Sequence, residues 1–213
     1  MLKTQIIVAS TRQGRNADVI LEWLKTSVKD HPSLACEVVD LRDWPLPIFQ
    51  ETMASIGDPK NPTYSAPIVK QWNAKIAEAD CYVFLTPEYN HSIPGGLKNA
   101  IDSVFVSFAF RHKAAAFVSY SNGLGAGVRA VEHLIQVMAE TETSVVRTPV
   151  LIPNVMTAFE GGKPVNKMIE ATLKVTLEDL AWQGNAMKNA RAGGQLPPPT
   201  FRVRAAMSAM APK

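Results

Sequence analysis

The sequence predicts an α/β fold: one parallel sheet of five strands with helices on both faces. Three observations predict it. Apolar, β-branched runs alternate five times with segments whose apolar residues recur at helical spacing. One of the runs, "CYVFLT" (81–86), is continuous and apolar, as a strand buried on both faces should be. Glycine, proline and small polar residues crowd the segments that follow the strands, where such sheets carry ligands.

The first strand is "TQIIVAS" (4–10). After "TRQGRN", a helix places Ala17, Ile20, Leu21, Leu24 and Val28 on one stripe. "ACEVVDL" (35–41) is the second strand. Residues 42–67 hold five prolines and many turn residues, too long and proline-rich for an ordinary core connection, so a functional or interface loop is expected. A second long helix carries Ile68, Trp72, Ile76 and Ala79 inward and leads to the strand at 81–86. After "PEYNHSIPGG", a short helix buries Leu97, Ala100, Ile101 and Val104. The aromatic-rich "VFVSFAFRH" (104–112) reads as core or interface, and the strand at 114–120 follows. Val128, Val131, Leu134, Ile135 and Met138 stripe the next helix. The fifth strand lies within 143–153, broken near Pro149, and a last helix over about 165–188 turns Ile169, Leu173, Leu177 and Leu180 inward.

Right-handed crossovers and short connections leave few topologies. A flavodoxin-like three-layer arrangement with strand order 2-1-3-4-5 suits five strands in one domain over 1–188. The remainder, 189–213, reads as a Pro/Gly-rich basic tail, extended or disordered. A hydrophobic content of 46% supports a full core, and no apolar run is long enough to span a membrane. With no convincing signal peptide, a cytoplasmic protein is expected. Net charge is +3, with no basic stripe interleaved with aromatics, which argues against nucleic acid and suits a small anionic ligand. Cys36 and Cys81 lack metal-ligand spacing, so no metal site is expected and both read as small buried hydrophobes.

In that topology the loops after strands one, three and four converge. "STRQGRN" joins a strand to a helix N-terminus, which attracts anions. Ser10, Thr11 and Asn16 add donors, and Arg12 and Arg15 add charge, so a phosphate is expected here; Asn16 alone is equally a helix N-cap. Neither GxxxxGK[ST] nor a GxGxxG after strand one is present, and "GLGAG" (123–127) follows the wrong strand for the latter. In "PEYNHSIPGGLKNAID" (87–102), Pro87 and Pro94 stiffen the loop. Backbone N–H groups of Glu88, Tyr89 and Asn90 are candidates for a flat ring's polar edge, Tyr89 for its rim, and Gly95 and Gly96 for close backbone approach. No G-x-S-x-G elbow or other oriented nucleophile is found. His91 reads as a rim residue, His112 as surface, and His31 and His133 as structural.

"STRQGR", "TPEYNHSIPGGLKNAIDSV" and "SYSNGLGAGVRAVEHLIQVM" together resemble the NADPH-dependent FMN reductase family, flavodoxin-like reductases of quinones, chromate and azo dyes, over roughly residues 3–185. The resemblance implies an FMN enzyme with NADPH or NADH as transient co-substrate. Hydride would pass to the flavin and then, by ping-pong kinetics, to a small electron acceptor such as a quinone, free flavin, azo compound or chromate. Ser10, Arg12, Arg15 and Asn16 would hold the FMN phosphate. Pro87, Glu88, Tyr89 and Asn90 would hold the ring, and Ser119, Tyr120 and Ser121 would close the site. No catalytic side chain is implied, because the flavin carries the chemistry. Homodimers or homotetramers are implied as well. This chain departs from the family pattern at Ala9, where a glycine is usual, and at Ala126-Gly127, where a Gly-Gly pair is usual. The competing readings are a flavodoxin-type electron carrier, disfavoured by the basic composition and the arginine-bearing loop, and a flavin-binding regulatory module.

Overall fold

The structure is a computed structural model that describes residues 1–210. Strands β1 (Leu2–Val8), β2 (Leu34–Asp40), β3 (Cys81–Pro87), β4 (Ala114–Tyr120), β5 (Ser144–Val145) and β6 (Val150–Ile152) form one parallel sheet. Its order is β2-β1-β3-β4-β5, with β6 also on β4, as expected. The fifth strand is two pieces: β5 pairs with Ala114–Ala115 and β6 with Val118–Tyr120, and Val146, Arg147, Thr148 and Pro149 lie between them. Proline has no N–H to give to a ladder. A small hairpin, β7 (Phe159–Glu160) with β8 (Lys163–Pro164), follows.

The helices are α1 (Ala17–Val28), α2 (Met53–Ile56), α3 (Pro67–Ala77), α4 (Gly95–Asp102), α5 (Val128–Glu140), α6 (Lys167–Ala192) and α7 (Pro199–Met210). Helices α1 and α6 cover one sheet face, where Ile20, Leu24, Leu173 and Leu180 meet Leu2, Val83 and Val118. Helices α3, α4 and α5 cover the other, where Trp72, Ile101 and Leu134 meet Phe84 and Phe117. Every residue of β3 and of β4 is buried, Thr86 and Ser119 included, which accounts for their largely apolar sequence. The proline-rich stretch 42–67 is tied down by Asn99, whose Oδ1 accepts from Phe49 N–H (2.8 Å) and whose Nδ2 donates to Pro47 O (2.9 Å). It packs Ile56 and Tyr64 against Val69 and Val106.

Part of the tail differs from the extended segment expected over 189–213, of which 211–213 lie outside the described residues. Residues 199–210 are helical, with Pro199 at the first helical position and alanine, arginine and methionine after it.

At the amino end of the sheet Asp80, just before β3, joins β1 to α6. It accepts from Lys3 N–H (3.1 Å), Lys188 Nζ (2.8 Å) and Arg191 Nη2 (2.6 Å). Burial alone raises its pKa; the Lys188 and Lys3 hydrogen bonds and the two positive charges outweigh burial and hold it below the ordinary 3.8. A carboxyl depressed by folding stabilises above its unfolded pKa and loses that contribution as pH falls through the folded one. Asp80→Asn is therefore expected to be less stable than the parent at about pH 6, with the gap closing below about pH 4. Urea unfolding at the two pH values measures it, and a gap independent of pH would contradict it.

Candidate functional site

The register fixes where the carboxyl ends fall. Val8 pairs with Asp40 and with Leu85, and Pro87 pairs with Tyr120, so the segments after β1, β3 and β4 leave the same edge of the sheet. The expected convergence of the three loops is present.

After β1 the chain makes an open loop. Gly14 takes φ +60°, a left-handed conformation that favours glycine. Among the described residues, the backbone N–H groups from Thr11 to Asn16 have no hydrogen-bond acceptor in the protein. Such a run of successive free donors at a helix N-terminus forms a concavity for an anion. Asn16 makes no side-chain cap; its Nδ2 lies 3.4 Å from Met156 Sδ. Ser10 is fully buried, and its Oγ is 2.7 Å from the Tyr89 hydroxyl, a hydrogen bond that joins loop one to loop three. Arg12 is exposed, with its guanidinium carbon 5.6 Å from the Tyr89 ring centre, a cation–π contact.

Arg15 turns the other way. Its side chain is 3% exposed, and it donates to Ser10 O, to Asp18 (2.7 Å) and to both Asp40 oxygens, one at 2.8 Å. The Asp40 hydrogen bond raises its pKa further. Asp40 is raised by burial and, more strongly, lowered by Arg15 and the Arg42 N–H. Arg15 is a strut that sets the loop's shape, whereas Arg12 stays exposed beside it.

Loop three is a tight turn. Tyr89 and Ser92 exchange backbone hydrogen bonds (2.8 and 3.0 Å), and Asn90 and His91 take φ +49° and +64°, a type I′ pattern with two left-handed residues. The ring-edge donors expected here are therefore fewer. Glu88 N–H bonds Tyr120 O (3.0 Å) and Tyr89 N–H bonds Ser92 O, so of the three only Asn90 N–H is without an acceptor among the described residues. His133 Nδ1 braces the turn from α5, 2.9 Å from Ser92 Oγ, and His91 is exposed at its tip. Pro87 is buried at the end of β3. The Glu88 carboxylate pairs with Arg129, whose N–H also lies 3.3 Å away, and so ties loop three to the start of α5. A Cβ added at Gly95 or Gly96 meets nothing within 4 Å. These glycines leave space open at the first turn of α4. Gly96 and Asn99 face Thr11, Arg42 and Trp44 across a cleft of about 340 Å³. Arg42 also donates to Arg12 O.

After β4 the three predicted residues separate. Ser119 is fully buried and donates to Thr86 O (3.0 Å) and Gly127 O (3.1 Å), so it is a core brace and not a site wall. Tyr120 points to loop one: burial raises its phenol pKa, and the Ser10 side chain and Ala17 N–H lie beside it. Ser121 Oγ donates to Gly123 O (3.0 Å) and shapes the 121–127 loop. In that loop Ala126 holds φ +54°. Ala126→Gly is expected to raise stability by about 1 kcal/mol by removing a left-handed alanine. A thermal scan reads this as a higher Tm, and a lower one would contradict it.

Residues 2–157 match the model of the family described as NADPH-dependent FMN reductase. The chain belongs to that family. It is an oxidoreductase that uses FMN with NAD(P)H as electron donor. The chain is 32% identical over 157 residues to an NAD(P)H-dependent FMN reductase (ntnL) of Nectria sp, covering 72% of this chain and 76% of the relative. It is 37% identical over 139 residues to an NAD(P)H:quinone oxidoreductase of Solanum tuberosum, covering 64% of this chain and 67% of the relative. The solved structure of FerB, a flavoenzyme NAD(P)H:(acceptor) oxidoreductase from Paracoccus denitrificans, superposes with a TM-score of 0.68 at 19% identity, over 87% of this chain and 98% of that one. It supports the fold. The free N–H run at Thr11–Asn16, Arg12 beside it and the open space over Gly95 and Gly96 fit the phosphate and flat ring of FMN. Sequence reasoning passed over Arg42, Asn99 and Arg129; all three enter the site region through partners distant in sequence. Among the described residues, no helix is long and apolar enough to cross a membrane.

Proposed function

We propose that the enzyme transfers electrons from NADPH or NADH to a small diffusible acceptor, with a quinone or free flavin as the first candidates, by ping-pong kinetics at one site. The observation that carries this is the run of unpartnered N–H groups at Thr11–Asn16, held against Tyr89 by the Ser10 hydrogen bond. Ser10, Arg12 and Asn16 with these N–H groups hold the phosphate, and Arg15 fixes the loop that presents them. Pro87, Tyr89 and Asn90 line the ring, and Glu88 fixes the start of α5 through Arg129. Bound FMN supplies the hydride and electron chemistry. The protein supplies position, a positive phosphate seat and an open face for successive partners. No protein acid or base is assigned. The relative from Solanum tuberosum is named a quinone oxidoreductase, which supports a quinone as acceptor. Azo compounds and chromate are further acceptors to test, and the enzyme works as a homodimer or homotetramer.

Steady-state assays of the FMN-loaded protein test this reading. NADPH or NADH oxidation with a quinone or free flavin is expected to give parallel double-reciprocal lines. No oxidation with either nicotinamide would overturn it. Arg12→Ala is expected to weaken FMN binding about tenfold, the worth of one exposed charge-assisted contact, with little effect on stability. Fluorescence titration measures it, and an unchanged Kd would remove Arg12 from the phosphate seat.

A further inference from the structure

Helix α7 is exposed along its whole length. It has 12 residues, a length at which a helix without tertiary contacts is marginal in water. Among the described residues only its start is held: Phe201 packs edge-on against Phe108 (6.5 Å between ring centres), and Arg202 Nε donates to Pro197 O (3.0 Å). Beyond that, Val203, Met207 and Met210 stand at i, i+4 and i+7, one apolar stripe open to solvent. A second uncovered stripe runs along α6, where Met168, Val175 and Trp182 repeat every seven residues and Trp182 is 75% exposed. Asp179 lies within that stripe and Glu178 at its margin, whereas α7 carries Arg202 and Arg204 and no acidic residue. The two stripes are complementary in charge as well as apolar. The anchored root of α7 leaves the α6 of its own chain uncovered.

We infer that α7 is an exchanged arm: the α7 of one copy lies on the Met168–Val175–Trp182 face of α6 in a second copy, with its arginines against Glu178 and Asp179. This rests on the proposal that the enzyme is a homo-oligomer and names the surface that joins the copies. Neither helix belongs to the matched family region, which ends at residue 157.

Sedimentation of the full-length, FMN-loaded protein tests this with two variants. Trp182→Glu spoils the receiving face at an exposed position and leaves the core alone. A chain ending at Pro198 lacks the arm and keeps the contacts of Leu196 and Pro197 with Arg111. Each alone is expected to halve the parent's mass. Mixed, they are expected to regain the larger species, because one supplies an arm and the other an intact face. A monomeric parent would overturn the arm and the oligomer together. An oligomeric parent whose mass neither variant changes would overturn only the arm. Loss of the larger species in Trp182→Glu but not in the shortened chain would assign the interface to α6 against α6, and would also overturn it.

Discussion

Replacing Arg15 with methionine is expected to lower stability by about 2–3 kcal/mol and to weaken FMN binding about tenfold or more. The side chain is buried and bonds Ser10 O, Asp18 and Asp40, so loop one, the first turn of α1 and the end of β2 all depend on it. Methionine keeps much of the apolar volume and removes every donor. Asp40 is then a half-buried carboxylate without its cation, which is the costly way to break an ion pair. The figure sits below the usual range for a fully buried pair because the Asp40 side chain retains 17% exposure. The flavin effect follows from the loop: without Arg15 on Ser10 O, the Thr11–Asn16 donors lose the frame that points them at one phosphate. Urea unfolding and fluorescence titration separate the two effects. Adding Asp40→Asn is expected to recover part of the stability, as coupled partners do, and little of the FMN affinity. An FMN Kd unchanged in Arg15→Met would contradict the strut role.

Gly127→Ala is expected to cost about 3 kcal/mol or more and to release the 121–127 loop. A Cβ at this position falls 2.1 Å from Ser119 Oγ and 2.8 Å from Tyr120 N, and the residue holds φ +86°. The overlap involves backbone at the end of β4, so no side-chain rotation relieves it. Overpacking and a left-handed alanine add in the same direction. Gly127 is the N-cap of α5, so its displacement also shifts Arg129 from Glu88 and His133 from Ser92. Loss of affinity for FMN should accompany the lower Tm. A variant with parental Tm would show that β4 and α5 separate at little cost.

Much of the fold is legible in the sequence because each element's pattern reports its own burial. "CYVFLT" and "AAAFVSY" are almost wholly apolar because helices cover both faces, and the stripes of α1 and α6 return as buried residues. The site is legible down to its loops and less so to its side chains. Arg12 and Arg15 look alike in "STRQGRN"; what separates them is Asp40, at the end of a neighbouring strand. "SYS" reads as one wall, yet alternation along β4 sends Ser119 toward Gly127 and Tyr120 toward Ser10. The I′ turn is hidden because Asn-His occupies a place where Asn-Gly is the usual signal. The helix at 199–210 is masked by the glycines and prolines just before it.

The divided outer strand has a consequence for how the protein behaves at high concentration. A sheet margin invites another chain to add to it when it is long, flat and evenly laddered. Here two short pieces are separated by Val146, Arg147, Thr148 and Pro149, so the outward row of N–H and C=O groups is interrupted by a charge and by a residue with no N–H. That margin is a poor template for strand addition, and β-type aggregation through it is disfavoured while the domain is folded.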